Sequence, residues 1–211
     1  MNFPELYKKF NCTVNLEELR NYYQIVTDQF EHLRWSWYKN RHEVEVGWQE
    51  KLKEYSHFEY HTGWAIQSNI IDKTKICPPF NISNYSTGDY YNTELVFGVV
   101  DRLCKAFPFA YRWSLVVQPP GGCVPRHNDG TIEYTCHIPI YWPKGAVFEC
   151  SYPSNNSSIT NLELPATGEI YWFNTEVDHF TMNYSTEPRV NIMFRCKKDN
   201  IPDLFKVTGE I

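Results

Sequence analysis

The sequence predicts a mainly β protein of the α+β kind, with N-terminal helices packed on a jelly roll. Two observations predict it. Helix-spaced apolar residues are confined to the first half of the chain, and after Pro108 the texture changes to short apolar or alternating runs separated by Pro, Gly, Asn and Ser. Short strands at close, regular spacing indicate antiparallel sheets closed into a roll rather than a parallel α/β sheet. The 211 residues are 42% hydrophobic and 21% charged, which suits one folded domain with a sizeable core. Within it, residues 1–108 form a helical and irregular part, 109–197 the jelly roll and 198–211 a tail.

The elements follow in order. From Asn15, residues Leu16, Leu19, Tyr23, Val26, Phe30, Leu33 and Trp37 recur at spacings of three and four, one face of a helix. Asn15 followed by Glu18 resembles a capping box. Residues 38–68 mix charge and aromatics without a period. Pro78-Pro79 and "NISNYSTGDYYN" form a loop before a second helix, whose face carries Leu95, Val99, Leu103 and Phe107 and which Pro108 stops. The predicted strands are "YRWSLVVQ", "EYTCHIPIY", "AVFECS", "TNLEL", "EIYWFN" and "RVNIMFRC"; Pro139 inside the second implies an edge or a bulge.

Composition excludes several classes. A formal charge of −5 gives no reason to expect nucleic acid or an anionic membrane as partner. No apolar run approaches the roughly 20 residues of a spanning helix, and the first residues have no signal-peptide core. The seven cysteines are dispersed with no CxxC pair, as in reduced thiols of a cytoplasmic protein.

The chemistry is concentrated in "PPGGCVPRHNDG", residues 119–130. His127 and Asp129 stand two apart, so on an extended backbone both side chains point the same way. Pro125 and the flanking glycines stiffen and tighten the approach. Of the seven histidines only His127, His137 and His179 fall in the β half. His179 ends "GEIYWFNTEVDH", a turn, a strand and a short loop, which places it at a rim; His137 lies within an apolar strand. Two histidines and one carboxylate on one face of a metal leave its other positions open, as a non-haem iron(II) oxygenase requires. An oxoacid cosubstrate would also need a cation for its far carboxylate. Arg189, ten positions after His179, opens a strand and has the planar fork for that task. Its alternative is a salt bridge to Glu176, Asp178 or Glu187. Asn128 has no part in this pattern.

"RHND" followed by "EVDHFTMNYSTEPRVNIMF" resembles the 2-oxoglutarate- and iron(II)-dependent oxygenases, most closely the aspartyl/asparaginyl β-hydroxylase group, over residues 110–197. The resemblance implies a double-stranded β-helix of cupin type in which His127, Asp129 and His179 bind Fe(II). Arg189 would hold the distal carboxylate of 2-oxoglutarate, and His137 would lie close to that cosubstrate. A small polar residue on the preceding strand helps hold the same carboxylate in the family; Ser114 is the candidate, although a gapless match puts Val116 there. Gln118 shares the strand parity of Ser114. The implied activity is hydroxylation of an amino acid, free or in a peptide, with O2 as second cosubstrate. The complete triad departs from the animal aspartate hydroxylases of the group, which lack the acidic ligand. Neither their membrane anchor and helical repeats nor the extension of the proline hydroxylases beyond the arginine is expected here, so neither substrate transfers.

Two further possibilities stay open: a non-catalytic cupin-type module binding a small molecule, and a metal-dependent hydrolase or isomerase on the same fold. A binder without a cofactor needs neither triad nor arginine. The pair His57 and His61 has zinc-site spacing, but Phe58 stands where a zinc peptidase has glutamate, so two exposed histidines are expected there.

Overall fold

The chain is described from a computed structural model covering residues 6–36, 62–69, 89–91, 93–130, 133–151 and 159–211. Trp37, His57, His61 and most of the aromatic segment 35–64 lie outside the described residues. The elements are β1 (Tyr7–Thr13), α1 (Leu16–Gln29), β2 (Trp35–Ser36), β3 (Thr62–Ala65), β4 (Gln67–Asn69) and β5 (Asp89–Tyr91). Then come α2 (Gly98–Ala106), β6 (Tyr111–Gln118), β7 (Cys123–His127), β8 (Glu133–Tyr141), β9 (Ala146–Ser151) and β10 (Ile159–Asn161). The chain closes with β11 (Glu169–Phe173), β12 (Asp178–Asn183), β13 (Arg189–Lys197), α3 (Ile201–Leu204) and β14 (Gly209–Glu210).

Eight strands form the larger sheet in the order β14-β1-β11-β8-β13-β6-β3-β2, and four form the smaller, β10-β9-β12-β7. A separate antiparallel pair joins β4 and β5. From β6 to β9 successive strands alternate between the two sheets, and after β10, which pairs with β9 in the smaller, β11, β12 and β13 alternate again. That alternation makes a jelly roll with a space between its sheets.

Strand periodicity gives the larger sheet two different faces. On β6, Trp113, Leu115 and Val117 join the apolar cluster under the helices, while Ser114, Val116 and Gln118 point the other way. On β13, Val190, Ile192, Phe194 and Cys196 join that cluster, leaving Arg189, Asn191, Met193 and Arg195 on the inner face. Leu19 and Val26 of α1 and Val99 and Leu103 of α2 complete the core. Trp113 stacks on Phe194 with centroids 4.3 Å apart. Truncating such a buried aromatic costs about 3–5 kcal/mol.

Both predicted helices form. Asn15 caps α1, its side chain accepting from the Glu17 and Glu18 amides at 3.0 and 3.2 Å. Glu18 pairs with Arg102 of α2 rather than closing a capping box. The apolar stripe outruns the helix, because Phe30 is its C-cap and Leu33 sits in a separate 3₁₀ turn. On the second helix Leu95 lies in a preceding 3₁₀ turn and Phe107 is the C-cap, and both are buried.

Elsewhere the structure differs from expectation. Pro139 is not at an edge, since β8 lies between β11 and β13; it sits at a register shift opposite Asn191, the bulge alternative. In "TNLEL" the ladder ends at Asn161, and Leu162 and Leu164 are buried without a strand. β1, not foreseen, pairs with β11, and the tail adds α3, with Leu204 buried, and β14, parallel to β1. No helix among the described residues is long and apolar enough to cross a membrane.

Candidate active site

The Pro-Gly turn carries the chain from one sheet to the other. The Gly122 amide donates to Pro119 O and the Gly121 amide to Asn183 O, both at 2.8 Å. A Cβ on Gly122 would meet Gln118 Cγ and Pro119 O at 2.8 Å, so only glycine permits the approach. β7 then runs antiparallel to β12 with His127 opposite His179. His179 is therefore within a strand and buried, rather than in a rim loop. The loop is shorter than the sequence implies because strand pairing resumes at Asp178.

His127, Asp129 and His179 converge, their ligand atoms all lying within 4.8 Å of one another. His127 Nε2 is 3.6 Å and His179 Nε2 4.0 Å from the Asp129 carboxylate, and the two imidazoles are 4.2 Å apart by centroid. His179 Nδ1 lies 3.0 Å from Val177 O; a carbonyl only accepts, so Nδ1 carries the proton and Nε2 presents its lone pair to the cluster. Burial holds His179 below its ordinary value, against the opposing pull of Asp129 and the Val177 carbonyl. The neutral imidazole that a metal needs is thus the favoured form. Two nitrogen donors and one carboxylate, with the histidine tautomer set, fit a divalent transition metal.

Arg189 lies deeper between the sheets, 3% exposed. Its Nη1 donates to Gln118 Oε1 at 3.0 Å, and Gln118 Nε2 donates to Thr181 Oγ1 at 3.0 Å. The guanidinium lies 4.2 Å from the Trp142 ring centroid and 5.8 Å from that of Phe148. Arg189 Nε is buried with no hydrogen-bond partner, and no carboxylate among the described residues pairs with it. The salt-bridge alternative fails: none of Glu176, Asp178 and Glu187 pairs with Arg189, Glu176 pairing with Lys198 and Asp178 accepting from Asn128. Burial alone pushes the guanidinium down to about 9.

His137 projects between the sheets, edge-on to Phe173 at 5.0 Å and to Phe148 at 5.7 Å. Its Nδ1 is buried without a partner. Burial, with the charges of Arg189, His179 and Arg195, holds it well below the ordinary histidine range, so it is neutral. Gln118 is thus brought to Arg189, opposite it in the ladder. Ser114 is not: it faces Met193, four residues along the strand, or about 13 Å from the Gln118 position at strand rise. Val116 lies between them, opposite Asn191.

Several residues of the chamber were not singled out from sequence. Arg195 Nη2 is 3.6 Å from the Asp129 carboxylate. It shares strand parity with Arg189, as Thr181 does with His179, so both were legible in principle. Trp142 carried no such signal, because it follows the end of β8. Asn128 points to Asp178, Nδ2 to Oδ1 at 2.9 Å.

No family model matches the sequence, and no curated protein does. Solved structures do match. The non-haem α-ketoglutarate-dependent epimerase SnoN from nogalamycin biosynthesis superposes with a TM-score of 0.53 at 9% identity, over 90% of this chain and 75% of that one. The fold is the double-stranded β-helix. A prolyl-4-hydroxylase from Pseudomonas putida aligns over 92% of this chain and 93% of its own, with a TM-score of 0.49 and 9% identity.

Proposed function

We propose that the protein is an Fe(II)- and 2-oxoglutarate-dependent dioxygenase of the aspartyl/asparaginyl β-hydroxylase-like kind. It hydroxylates an unactivated C–H bond of an amino acid, free or within a peptide. One observation carries this: a buried arginine whose partners among the described residues are all neutral, in the same chamber as a His-Asp-His cluster. A buried charge without a counter-ion is costly, and an incoming carboxylate would compensate it. The shared fold with an α-ketoglutarate-dependent epimerase supports the same reading.

Bound iron would supply the oxidative decarboxylation of 2-oxoglutarate to succinate and CO2, coupled to oxygen insertion. The remaining work falls to the chain. His127 and His179 donate through Nε2, and Asp129 through its carboxylate. Gln118, itself held by Thr181, aims the Arg189 fork. Phe148, Phe173 and Trp142 keep water from that end, which strengthens every charge contact there. His137, neutral, offers one hydrogen bond through its unpartnered Nδ1.

Anaerobic titration with 2-oxoglutarate, then succinate formation under air with pools of amino acids and peptides, tests the proposal. The parent is expected to bind and turn over, with product gaining the mass of one oxygen atom; Asp129→Ala and Arg189→Ala are expected to be inactive. No cosubstrate binding and no turnover in any pool would overturn it.

A further inference from the structure

Asp129 stands beyond the end of β7, which stops at His127. The first two ligand positions, His127 and His179, are locked as partners in the β7–β12 ladder. The third has no ladder to hold it. Its segment is tied back by the Asp129 amide, which donates to Thr175 O at 3.0 Å, and by the Asn128 side chain. Asn128 Nδ2 donates to Asp178 Oδ1 at 2.9 Å, across fifty residues of sequence. Asn128 separates the two ligands of one strand end, and Asp178 immediately precedes the ligand of the other.

We infer that the Asn128–Asp178 hydrogen bond is a clasp that positions Asp129 against the two histidines, making Asn128 and Asp178 positioning residues for metal binding. This rests on the metal site proposed above. Chemistry at position 128 explains why an amide stands there. An amide nitrogen donates to the Asp178 carboxylate, whereas a carboxylate at the same place would repel both Asp178 and Asp129. Asp178 is outside the cluster of ligand atoms, so its part is to hold rather than to ligate. Partners of this outer kind typically change metal affinity 10- to 100-fold. Because Asn128 is exposed, the lower end of that range is expected.

The test uses the full chain, titrated at pH 7 with Co(II) or Fe(II) under anaerobic conditions, with thermal melts of the metal-free proteins alongside. Asn128→Asp adds negative charge near a cation site. Charge alone would tighten metal binding, whereas loss of the clasp weakens it, so the sign discriminates. We expect Asn128→Asp to weaken binding about tenfold, with metal-free melting little changed; Asp178→Asn keeps an amide oxygen that still accepts from Asn128 and serves only as the background for the exchanged pair. The exchanged pair Asn128→Asp with Asp178→Asn keeps the charge and reverses donor and acceptor, and is expected to restore affinity to within about twofold of the parent. Tighter or unchanged binding by Asn128→Asp, or no recovery in the exchanged pair, overturns the clasp. A parent that binds metal no better than Asp129→Ala overturns the clasp together with the metal site itself, and that result is distinct because it appears before any clasp variant is made.

Discussion

Arg189 and Arg195 occupy one face of one strand, six residues apart, and are treated in opposite ways. Arg189 is 3% exposed and surrounded by neutral groups: Gln118, Trp142, Phe148 and the uncharged His137. Arg195 has 28% of its side chain exposed and lies 3.6 Å from the Asp129 carboxylate. At one end of the strand the protein supplies a counter-ion; at the other, no carboxylate among the described residues meets the charge. The lesson is that a buried cation lacking a carboxylate is a stronger sign of a ligand than a cation in an ion pair, because only the first is left uncompensated by the fold.

The contrast can be broken most sharply at Arg189. Replacing it with methionine is expected to weaken anaerobic 2-oxoglutarate binding by about 100-fold or more, since a buried charge pair loses a partner. Metal-free stability should stay within about 1 kcal/mol of the parent, as relief of the buried charge offsets the hydrogen bond that Gln118 loses. Calorimetric titration and urea melts read both; a large loss of stability with unchanged binding would reverse the assignment.

Next in size is the neutrality around Arg189. His137 has a folded value well below 6.5, so below that pH the unfolded chain takes up a proton that the folded one refuses. Its contribution to stability is complete above about 6.5 and is lost as pH falls through the lowered folded value. In metal-free protein, His137→Leu is expected to flatten the pH dependence of denaturant melts over that range, by up to about 1.4 kcal/mol per pH unit. An unchanged slope would mean that His137 takes up its proton in the fold as it does in the unfolded chain. The smallest effect belongs to Arg195. Its pair with Asp129 is partly solvated, so Arg195→Gln is expected to cost about 0.2–1 kcal/mol in the same melts. A loss as large as that expected of a buried pair would erase the contrast between the two arginines.

Much of this was legible in the chain. The strand runs at 111–118, 133–141, 146–151, 169–173 and 189–197 follow alternation or apolar runs that short-range physics sets. His127, Asp129, His179 and Arg189 were marked by spacing and residue type, and Gln118 by parity with Ser114. Parity was insufficient to choose between these two, because every second residue on a strand shares a face. Register decides which of them meets Arg189, and register depends on the partner strand. The same limit hid β1, whose "YKKFNCT" is a strand because β11 presents an edge to it.

By itself, then, the sequence determined that helices precede a run of short strands, that Ser114 and Gln118 share a strand face, and which side chains have the chemistry to hold a metal or an anion. Those are properties of local periodicity and side-chain chemistry. Tertiary structure alone decided that His179 lies opposite His127, that Arg189 is buried with no carboxylate among the described residues while Arg195 has one, and that Asn128 reaches Asp178. Each depends on where a strand distant in sequence lies, which local chemistry does not specify.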